Sequence, residues 1–364
     1  MKKLRITTSL ILTICLIIVS FTLSSCGSQK IETPPSDPDY LNKVAAYPFW
    51  SNTSDNLIPQ YKTYYHVHSF LDECEIKDGR AIAPDGKERK VLFIGFDGTR
   101  ADALSYILGD ENNAETNVSG ISELQKTGGL YLAYCGGEKG TDSEQSTSTA
   151  PGWTSHFTGV WGTEHGIKTN DDSKNLKYKT FMLEYAEAGL HTSVAFDWDQ
   201  YFDVNMKEEV KYVMQNNLPM TMCDTDRVKK DKLKKTRAET IELYNFVAPE
   251  TPSASAPYDS GMRDYIIERM DAGDSVICGI FHNIDTAGHT YGYAISTQYV
   301  GAVINCDMYA YSVLQAVKQR EAKYNEEWLV IFGNDHGGIG QGHGEQSPEE
   351  RTAWIASNIP FENN

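Results

Sequence analysis

Acidic and histidine side chains follow three short apolar runs of this sequence, and together they have the chemistry of a metal site. Carboxylates and imidazoles are common ligands of zinc-like cations, and glycines beside them let the backbone approach an ion. One aspartate after a strand is commonly a helix cap, so each position alone indicates little. Six such groups are hard to assign to packing, and they suit two ions with three ligands each. The six are Asp97, Asp285, His289, Asp335, His336 and His343.

The apolar runs of the chain have the composition of buried strands, because they are short, rich in β-branched or aromatic residues and bounded by charge or glycine. They are Val91–Phe96, Thr192–Phe196, Ser275–Phe281 and Trp328–Phe332. Helical patterns lie between them, the clearest of which runs from Tyr299 to Gln319. This alternation predicts an α/β fold with a mostly parallel central sheet and helices on both faces. In such sheets, functional groups gather at the carboxyl ends of the strands.

The motifs FDGTR, DTAGH, NDHGG and GHG resemble, in this order, those of the alkaline phosphatase superfamily. The pattern is similar to its type I phosphodiesterase / nucleotide pyrophosphatase branch over about residues 90–360. Between the first two motifs lie Ser148–Trp153, a TG, an HGI and Asn170, in the register of that family. The resemblance implies an alkaline-phosphatase-like fold and two divalent metal ions, with Zn²⁺ as the default metal.

The resemblance also implies a role for each residue of the site. Thr149 would be the nucleophile, and Asn170 would donate a hydrogen bond to a phosphoryl oxygen. One ion would be held by Asp285, His289 and His343. The other would be held by Asp97, Asp335 and His336, with the oxygen of Thr149 also bound.

These roles predict a hydrolase of phosphodiester or pyrophosphate bonds that forms a covalent phospho-threonine intermediate. A threonine hydroxyl is a poor nucleophile at neutral pH, and a bound divalent cation stabilises its alkoxide. Two alternatives remain open, namely a phosphomonoesterase or phosphonate hydrolase with the same machinery, and a non-catalytic surface lipoprotein on this scaffold. A sulfatase is disfavoured, because its aldehyde-forming residue would be a cysteine or serine and position 149 holds threonine.

A charge count favours diesters over monoesters. Two divalent cations would offset three aspartates and one threonine alkoxide, so the site would be close to neutral. A monoester dianion would then need an added cationic side chain, whereas a diester needs only a neutral donor such as Asn170. Arg100 or Arg351 would reverse this preference if either pointed into the site.

The specificity for nucleotides is left open by one departure from the family pattern. Members that cleave nucleotides usually carry an aromatic residue directly after the nucleophile, where this chain has Ala150. A base-stacking platform would then have to come from another aromatic residue. The candidates are Trp153, Trp161 and Trp198, for each of which packing in the core or at the rim is the alternative role.

The first 25 residues resemble a bacterial lipoprotein signal peptide. Positive residues precede an apolar stretch, and Leu-Ser-Ser then leads to Cys26, which would be lipidated. The alternative is an uncleaved anchor helix, since the stretch is barely long enough to span a bilayer. We expect an extracytoplasmic lipoprotein that is anchored to a bacterial membrane, with a tether over 26–40 and a hydrolase domain over 41–364.

Charge and patterning give further expectations. The formal net charge of −17 disfavours binding to a nucleic-acid duplex, so a small phosphate ester is the expected partner. Residues 197–260 are polar and break the strand–helix rhythm, which predicts a small cap inserted over the sheet. Its basic run from Arg227 to Arg237 is either a solvated helix face or a surface that steers anions. Alternating His66 and His68 indicate an exposed strand.

Overall fold

The structure is a computed structural model that describes residues 33–109, 118–198, 200–224 and 257–361. The expected signal peptide, Cys26 and the basic run Arg227–Arg237 lie outside the described residues. Among the helices that are described, none has both the length and the apolar composition needed to cross a membrane.

The described strands form one ten-stranded sheet, in which the five neighbours β9-β4-β8-β6-β7 are parallel. This confirms the predicted α/β class with its mostly parallel centre, and each predicted strand is present to within a few residues. The antiparallel β10 joins this block to β5 and β1, and β2 and β3 form a hairpin beside β4. The strands are β1 (Ile58–Pro59), β2 (Glu75–Lys77), β3 (Arg80–Ile82), β4 (Glu88–Phe96), β5 (Gly129–Tyr134), β6 (Thr192–Phe196), β7 (Met220–Asp224), β8 (Val276–Phe281), β9 (Glu326–Gly333) and β10 (Thr352–Ser357).

Helices cover both faces of this sheet. The α-helices are α1 (Tyr40–Ala45), α2 (Lys62–Leu71), α3 (Ser105–Leu108), α4 (Gly120–Thr127), α5 (Thr149–Thr158), α6 (Gly162–His165), α7 (Phe181–Glu187), α8 (Lys207–Asn216), α9 (Pro257–Ala272), α10 (Asn283–Tyr291), α11 (Thr297–Lys323) and α12 (Pro348–Arg351). A 3₁₀ helix spans Ala101–Leu104 and a π-helix spans Tyr201–Asn205. The predicted helix Tyr299–Gln319 lies within α11.

The central strand β4 shows why the sheet needs both layers. Its side chains alternate between two hydrophobic cores, since Leu92 and Ile94 pack with α4, α9 and α11, whereas Phe93 packs with α2, α5 and α7. All of these side chains are fully buried. A strand that is covered on both faces is apolar without alternation, and this explains why the run Val91–Phe96 is detectable in the sequence.

The expectation of an exposed strand around His66 is wrong, because this segment is the helix α2. Its buried residues recur at helical spacing, at Thr63, His66, Val67, Phe70 and Leu71. His66 is 7% exposed, and its ring stacks on Phe361. The apparent alternation arose because polar His66 belongs to the buried face of the helix.

The segment 197–260, which is predicted to form a cap, is described only in part. Helix α8 leads into β7, and β7 pairs in parallel with β6 at the end of the sheet. These described residues extend the sheet. Residues 225–256 lie outside the described residues, so the cap over 197–260 stays a prediction. At the other end, the predicted tether already contacts the body, since Ser36 Oγ donates to Glu349 at 2.7 Å.

Candidate metal centre

The sheet places the six predicted ligands at one edge. Strand β4 lies between β8 and β9, with Phe96 level with Phe281 and Gly95 level with Gly333. The segments that follow these three strands therefore start side by side. They carry the residues that we call the metal centre, namely Asp97 after β4, Asp285 and His289 on α10, Asp335 and His336 after β9, and His343 in the loop before α12.

The first ligand group consists of Asp285, His289 and His343. One potential ligand atom from each lies within 4.8 Å of the others. The Nε2 atom of His289 is 3.4 Å from Asp285 Oδ2, and that of His343 is 3.7 Å from Asp285 Oδ1. The two Nε2 atoms face each other at 3.2 Å. The three ligands that were predicted for the first ion therefore lie close enough together to bind one cation.

Backbone carbonyl groups determine which histidine nitrogen is available to a cation. Nδ1 of His289 lies 2.9 Å from Gln341 O, Nδ1 of His343 lies 3.1 Å from Thr147 O, and Nδ1 of His336 lies 2.7 Å from Gly337 O. A carbonyl oxygen only accepts hydrogen bonds, so each Nδ1 carries the hydrogen and donates it. In the neutral imidazole, Nε2 then has a free lone pair, which is the arrangement of a metal-binding histidine.

The second predicted group surrounds His336, which is fully buried. Its Nε2 lies 3.3 Å from Asp335 Oδ2, 3.6 Å from Asp97 Oδ1 and 3.5 Å from Thr149 Oγ1. The compact group here consists of Asp97, Asp285 and His336, so Asp285 belongs to both groups. Asp335, the third predicted ligand of this ion, adjoins the group through its contact with His336. All six predicted ligands and Thr149 are thus brought together.

Two buried oxygen atoms of this group provide a test of whether the residues fit a cation. Asp97 Oδ1 and Asp335 Oδ2 are buried and have no hydrogen-bond partner. The other oxygen of each carboxylate is bonded, since Asp97 Oδ2 accepts from Trp153 Nε1 at 3.3 Å and Asp335 Oδ1 accepts from Gly98 N at 3.0 Å. An unpaired buried carboxylate oxygen is highly unfavourable unless it binds a cation or a proton. The residues present therefore fit a divalent ion.

The pKa values show the same demand for positive charge. Burial raises the pKa of Asp97 and that of Asp335, and the neighbouring carboxylates raise both further. For Asp285, burial opposes ionisation, but the hydrogen bond to His289 and the nearby imidazoles lower its pKa overall. That hydrogen bond raises the pKa of His289 to about 9. These directions fit a site whose clustered carboxylates need positive charge beside them.

Thr149 is the first residue of α5 and is 3% exposed. A position at a helix N-terminus favours negative charge on its oxygen, because the peptide dipoles of the helix point their positive ends there. Asn170 lies beside it, and its Oδ1 accepts from Ala150 N at 2.9 Å. This bond identifies the oxygen end of the amide, so Nδ2 is the end that remains to donate.

Residues 91–342 match the family described as Type I phosphodiesterase / nucleotide pyrophosphatase. The chain belongs to this family. Comparison with curated proteins gave no match.

Solved structures that match this chain share little sequence identity with it. A phosphonoacetate hydrolase from Sinorhizobium meliloti 1021 is 10% identical, covers 70% of this chain and 59% of its own, and has a TM-score of 0.40. A murine ectonucleotide pyrophosphatase / phosphodiesterase 5 is 18% identical, and the match covers 68% of this chain and 57% of the murine chain with a TM-score of 0.35. An alkaline phosphatase from the Antarctic bacterium TAB5 is 13% identical, and the match covers 74% of this chain and 93% of the phosphatase with a TM-score of 0.43. The chain thus spans less than two thirds of the length of the first of these proteins.

The two arginines that could have added positive charge to the family site are engaged elsewhere. Arg100 forms a two-pronged ion pair with Asp102 and donates to Tyr293 O at 2.8 Å. Arg351 donates to Gly137 O at 2.7 Å and to Gly136 O at 3.3 Å. The charge count would favour a monoester only if Arg100 or Arg351 pointed into the site, and these contacts hold both side chains elsewhere.

Two of the three tryptophans considered as a stacking platform are core residues. Trp153 is fully buried against Phe93 and Phe157, and Trp161 is 6% exposed beside Tyr61. Trp198 is half-buried and contacts Phe196 at the end of β6. Trp198 alone among them has an exposed surface that a substrate could contact.

Two further residues hold the ligands, and sequence reasoning missed one of them, Tyr293. Tyr293 is 1% exposed, and its hydroxyl donates to Asp285 Oδ1. The other is His282, whose place in the sequence indicates support of the ligands, and its Nδ1 lies 3.0 Å from Asp97 Oδ2 while its Nε2 lies 3.9 Å from Asp285 Oδ2. Its place directly after β8 was the available signal for His282. The sequence holds no such signal for Tyr293, because this residue lies beyond the DTAGH motif.

Proposed function

We propose that this protein hydrolyses phosphodiester or pyrophosphate bonds at the metal centre, with Thr149 as the nucleophile and two divalent ions, by default Zn²⁺. Membership of the family supports a phosphoester hydrolase. The observation that carries the proposal is the position of Thr149. It is the first residue of α5, and its Oγ1 lies 3.5 Å from His336 Nε2. A nucleophilic hydroxyl among unpaired carboxylate oxygens is the arrangement that cation-assisted phosphoryl transfer requires.

The ligand sets would be those given by the resemblance. Asp285, His289 and His343 would hold one ion, and Asp97, Asp335, His336 and the Thr149 oxygen would hold the other. The chemistry supplied by such ions when bound is Lewis-acid stabilisation of alkoxides and of developing phosphoryl charge.

The chain's own residues would act in two displacements. In the first, Thr149 Oγ attacks phosphorus and loses its proton to solvent, while the bond to the leaving oxygen breaks with its electron pair. The product is a phospho-threonine that still carries the second ester group. In the second, water attacks the same phosphorus and loses a proton to solvent. The bond to Thr149 breaks with its electron pair, and Thr149 Oγ takes up a proton to restore the hydroxyl. Asn170 Nδ2 would donate to a non-bridging oxygen throughout, as its anchored amide orientation permits.

The charges of the site support a diester as the substrate. Arg100 and Arg351 are held by other partners, so a neutral donor, Asn170, would be the group that the protein offers to a phosphoryl oxygen. A diester carries one negative charge fewer than a monoester dianion, so it needs less compensation. The net charge of −17 supports a small phosphate ester rather than a nucleic-acid duplex as partner.

We propose further that the protein is a membrane-anchored, extracytoplasmic lipoprotein with its lipid on Cys26. The support is the lipoprotein-like sequence of residues 1–26. The wild-type protein should be found in the membrane fraction of a bacterial host, and Cys26→Ser should remain as an unprocessed or unlipidated form. Equal lipid labelling of both proteins would contradict this assignment.

The proposed activity is tested by metal content and by turnover of two aryl phosphates. We expect two zinc ions per chain, faster turnover of bis-p-nitrophenyl phosphate than of p-nitrophenyl phosphate, and loss of both activities in Thr149→Ala. Faster turnover of the monoester would identify the protein as a phosphomonoesterase instead. Stoichiometric zinc with no turnover of any ester would indicate a non-catalytic protein.

A further inference from the structure

Tyr293 contacts residues of the metal centre, although it belongs to none of the motifs that predict that centre. It follows α10, and its N–H donates to Gly340 O at 2.6 Å, so the loop after β9 is bound to it. Its ring centroid is 5.5 Å from that of His289 and 5.9 Å from that of His343. One side chain thus contacts two of the three ligands of the first ion.

The Tyr293 ring occupies a slot between two glycines from two different motifs. One is Gly288 in DTAGH, and the other is Gly338 in NDHGG. A Cβ atom added to either glycine would overlap the Tyr293 ring. Both glycines are therefore needed for the tyrosine to be present, and the ring is fixed from two sides.

The Tyr293 hydroxyl is directed by this packing at one oxygen of a ligand. It donates to Asp285 Oδ1, whereas Asp285 Oδ2 is directed towards His289 Nε2 at 3.4 Å. The bond restricts rotation of the carboxylate, which otherwise adjoins both ligand groups. Gly98, whose added Cβ would lie 2.7 Å from Asp285 Oδ1, closes the other side of that oxygen.

We propose that Tyr293 is a positioning residue that fixes the Asp285 carboxylate for the ion held with His289 and His343. The inference rests on the proposed two-ion function and adds a residue to it. Hydrogen bonds to a ligand carboxylate hold it in its binding orientation, and their loss typically weakens metal affinity about 10- to 100-fold. Tyr293 should therefore act chiefly on the affinity of the ion held with His289 and His343.

The test is a zinc titration of the metal-free full chain, followed by calorimetry and by competition with a chelator. In Tyr293→Phe the ring remains and only the hydroxyl is lost, so one of the two binding steps should weaken about 10- to 100-fold. The control is Tyr185→Phe, because Tyr185 is also a buried tyrosine whose hydroxyl donates to an aspartate, Asp72, at 2.7 Å. In the control, both steps should equal those of the wild type.

A second variant should disturb the hydrogen bond to Asp285 Oδ1 through the packing of the Tyr293 ring. Gly338→Ala would displace the ring, so it should weaken the same binding step as Tyr293→Phe. Two unchanged steps in Tyr293→Phe, beside a wild type that binds two zinc ions, would overturn the inference and leave the proposed function intact. A wild type that binds no zinc would overturn both. A metal-free Tyr293→Phe that is unfolded would also count against the inference, since the hydroxyl would then serve the fold.

Discussion

Asn170 has one end that anchors it and one end that is available to a substrate. Its side-chain oxygen is held by Ala150 N, and its backbone oxygen accepts from Gln200 Nε2 at 2.8 Å and Asn205 Nδ2 at 2.7 Å. The amide is therefore fixed before any substrate binds. A donor that needs no reorganisation contributes most to stabilising charge that develops in a transition state.

Replacement of Asn170 should act on the chemical step. We expect Asn170→Ala to lower kcat for a diester by about 10²- to 10³-fold, as for loss of one preorganised donor, with a smaller change in KM. Asn170→Asp keeps the acceptor for Ala150 N but loses the donor and adds a negative charge, so it should be at least as slow. Asn175→Ala, an exposed position of the same loop, is the control. Steady-state kinetics check this, and equal kcat values for all four proteins would exclude the assigned role.

At the scale of elements, close contact between α5 and the segment after β9 brings the nucleophile to its ligands. Gly152 makes this contact possible, because a Cβ there would lie 2.7 Å from both Asp335 Cβ and Asp335 O. Gly152 O also accepts from Gln60 Nε2 at 3.1 Å, which holds the helix from its other side. The glycine in STAPGW is therefore a packing requirement of the site.

Gly152→Ala should accordingly damage both stability and activity. Overpacking against the Asp335 backbone is expected to lower the free energy of unfolding by about 1–3 kcal/mol and to reduce turnover through displacement of Asp335. Gly301→Ala on α11 is a matched control, since nothing lies within 4 Å of the added Cβ. The control should gain about 0.5–1 kcal/mol of stability and retain full activity. Denaturant unfolding and diester turnover measure the two effects, and an active Gly152→Ala with wild-type stability would refute the packing argument.

A buried carboxylate links two other helices and makes their packing sensitive to pH. Asp307 on α11 accepts from Ile121 N of α4 at 2.8 Å, and burial raises the pKa of Asp307 to about 7. In the unfolded chain this pKa is about 4. Between these values the folded state binds a proton that the unfolded state has lost, so the contribution of Asp307 to stability decreases as pH rises.

Asp307→Asn should remove this pH dependence while it keeps an acceptor for Ile121 N. Relative to the variant, the wild type should lose stability from pH 4 to pH 7, on the order of 1 kcal/mol per pH unit at most. Urea unfolding at several pH values gives the difference curve. Asp55→Asn, at an exposed position, serves as the control for the loss of one carboxylate. A parallel curve for Asp307→Asn would mean that Asp307 is ionised in the folded protein across this range.

For the whole molecule, the metal centre joins segments that are far apart in the chain, from Asp97 to His343. Ions that bind only the folded state should therefore stabilise the entire domain. We expect removal of metal by a chelator to lower the unfolding temperature, and zinc at about 1,000 times its Kd to restore about 4 kcal/mol for each ion. Scanning calorimetry with and without zinc measures this, with Asp285→Asn as a variant that should respond less. An unfolding temperature that is insensitive to chelator and zinc would argue against bound ions.

The sequence predicted the parts of the molecule whose physical demands are local. Strands covered on both faces must be apolar along their whole length, so Val91–Phe96 and Trp328–Phe332 could be recognised. Their carboxyl ends then indicated which aspartates and histidines meet. His66 was misplaced because a polar residue that hydrogen-bonds to Ser357 sits on a buried helix face, which the pattern does not reveal. Tyr293 was missed because its partners come from two distant motifs.

The central claim is that Thr149 forms a covalent bond to phosphorus, and rapid acid quenching followed by peptide mass spectrometry tests it most directly. With bis-p-nitrophenyl phosphate as substrate, the account predicts an adduct of the p-nitrophenyl phosphoryl group on the peptide that contains Thr149, at early times and in the wild type only. Rapid diester hydrolysis with no adduct on that peptide, and with unchanged turnover in Thr149→Ala, would contradict it.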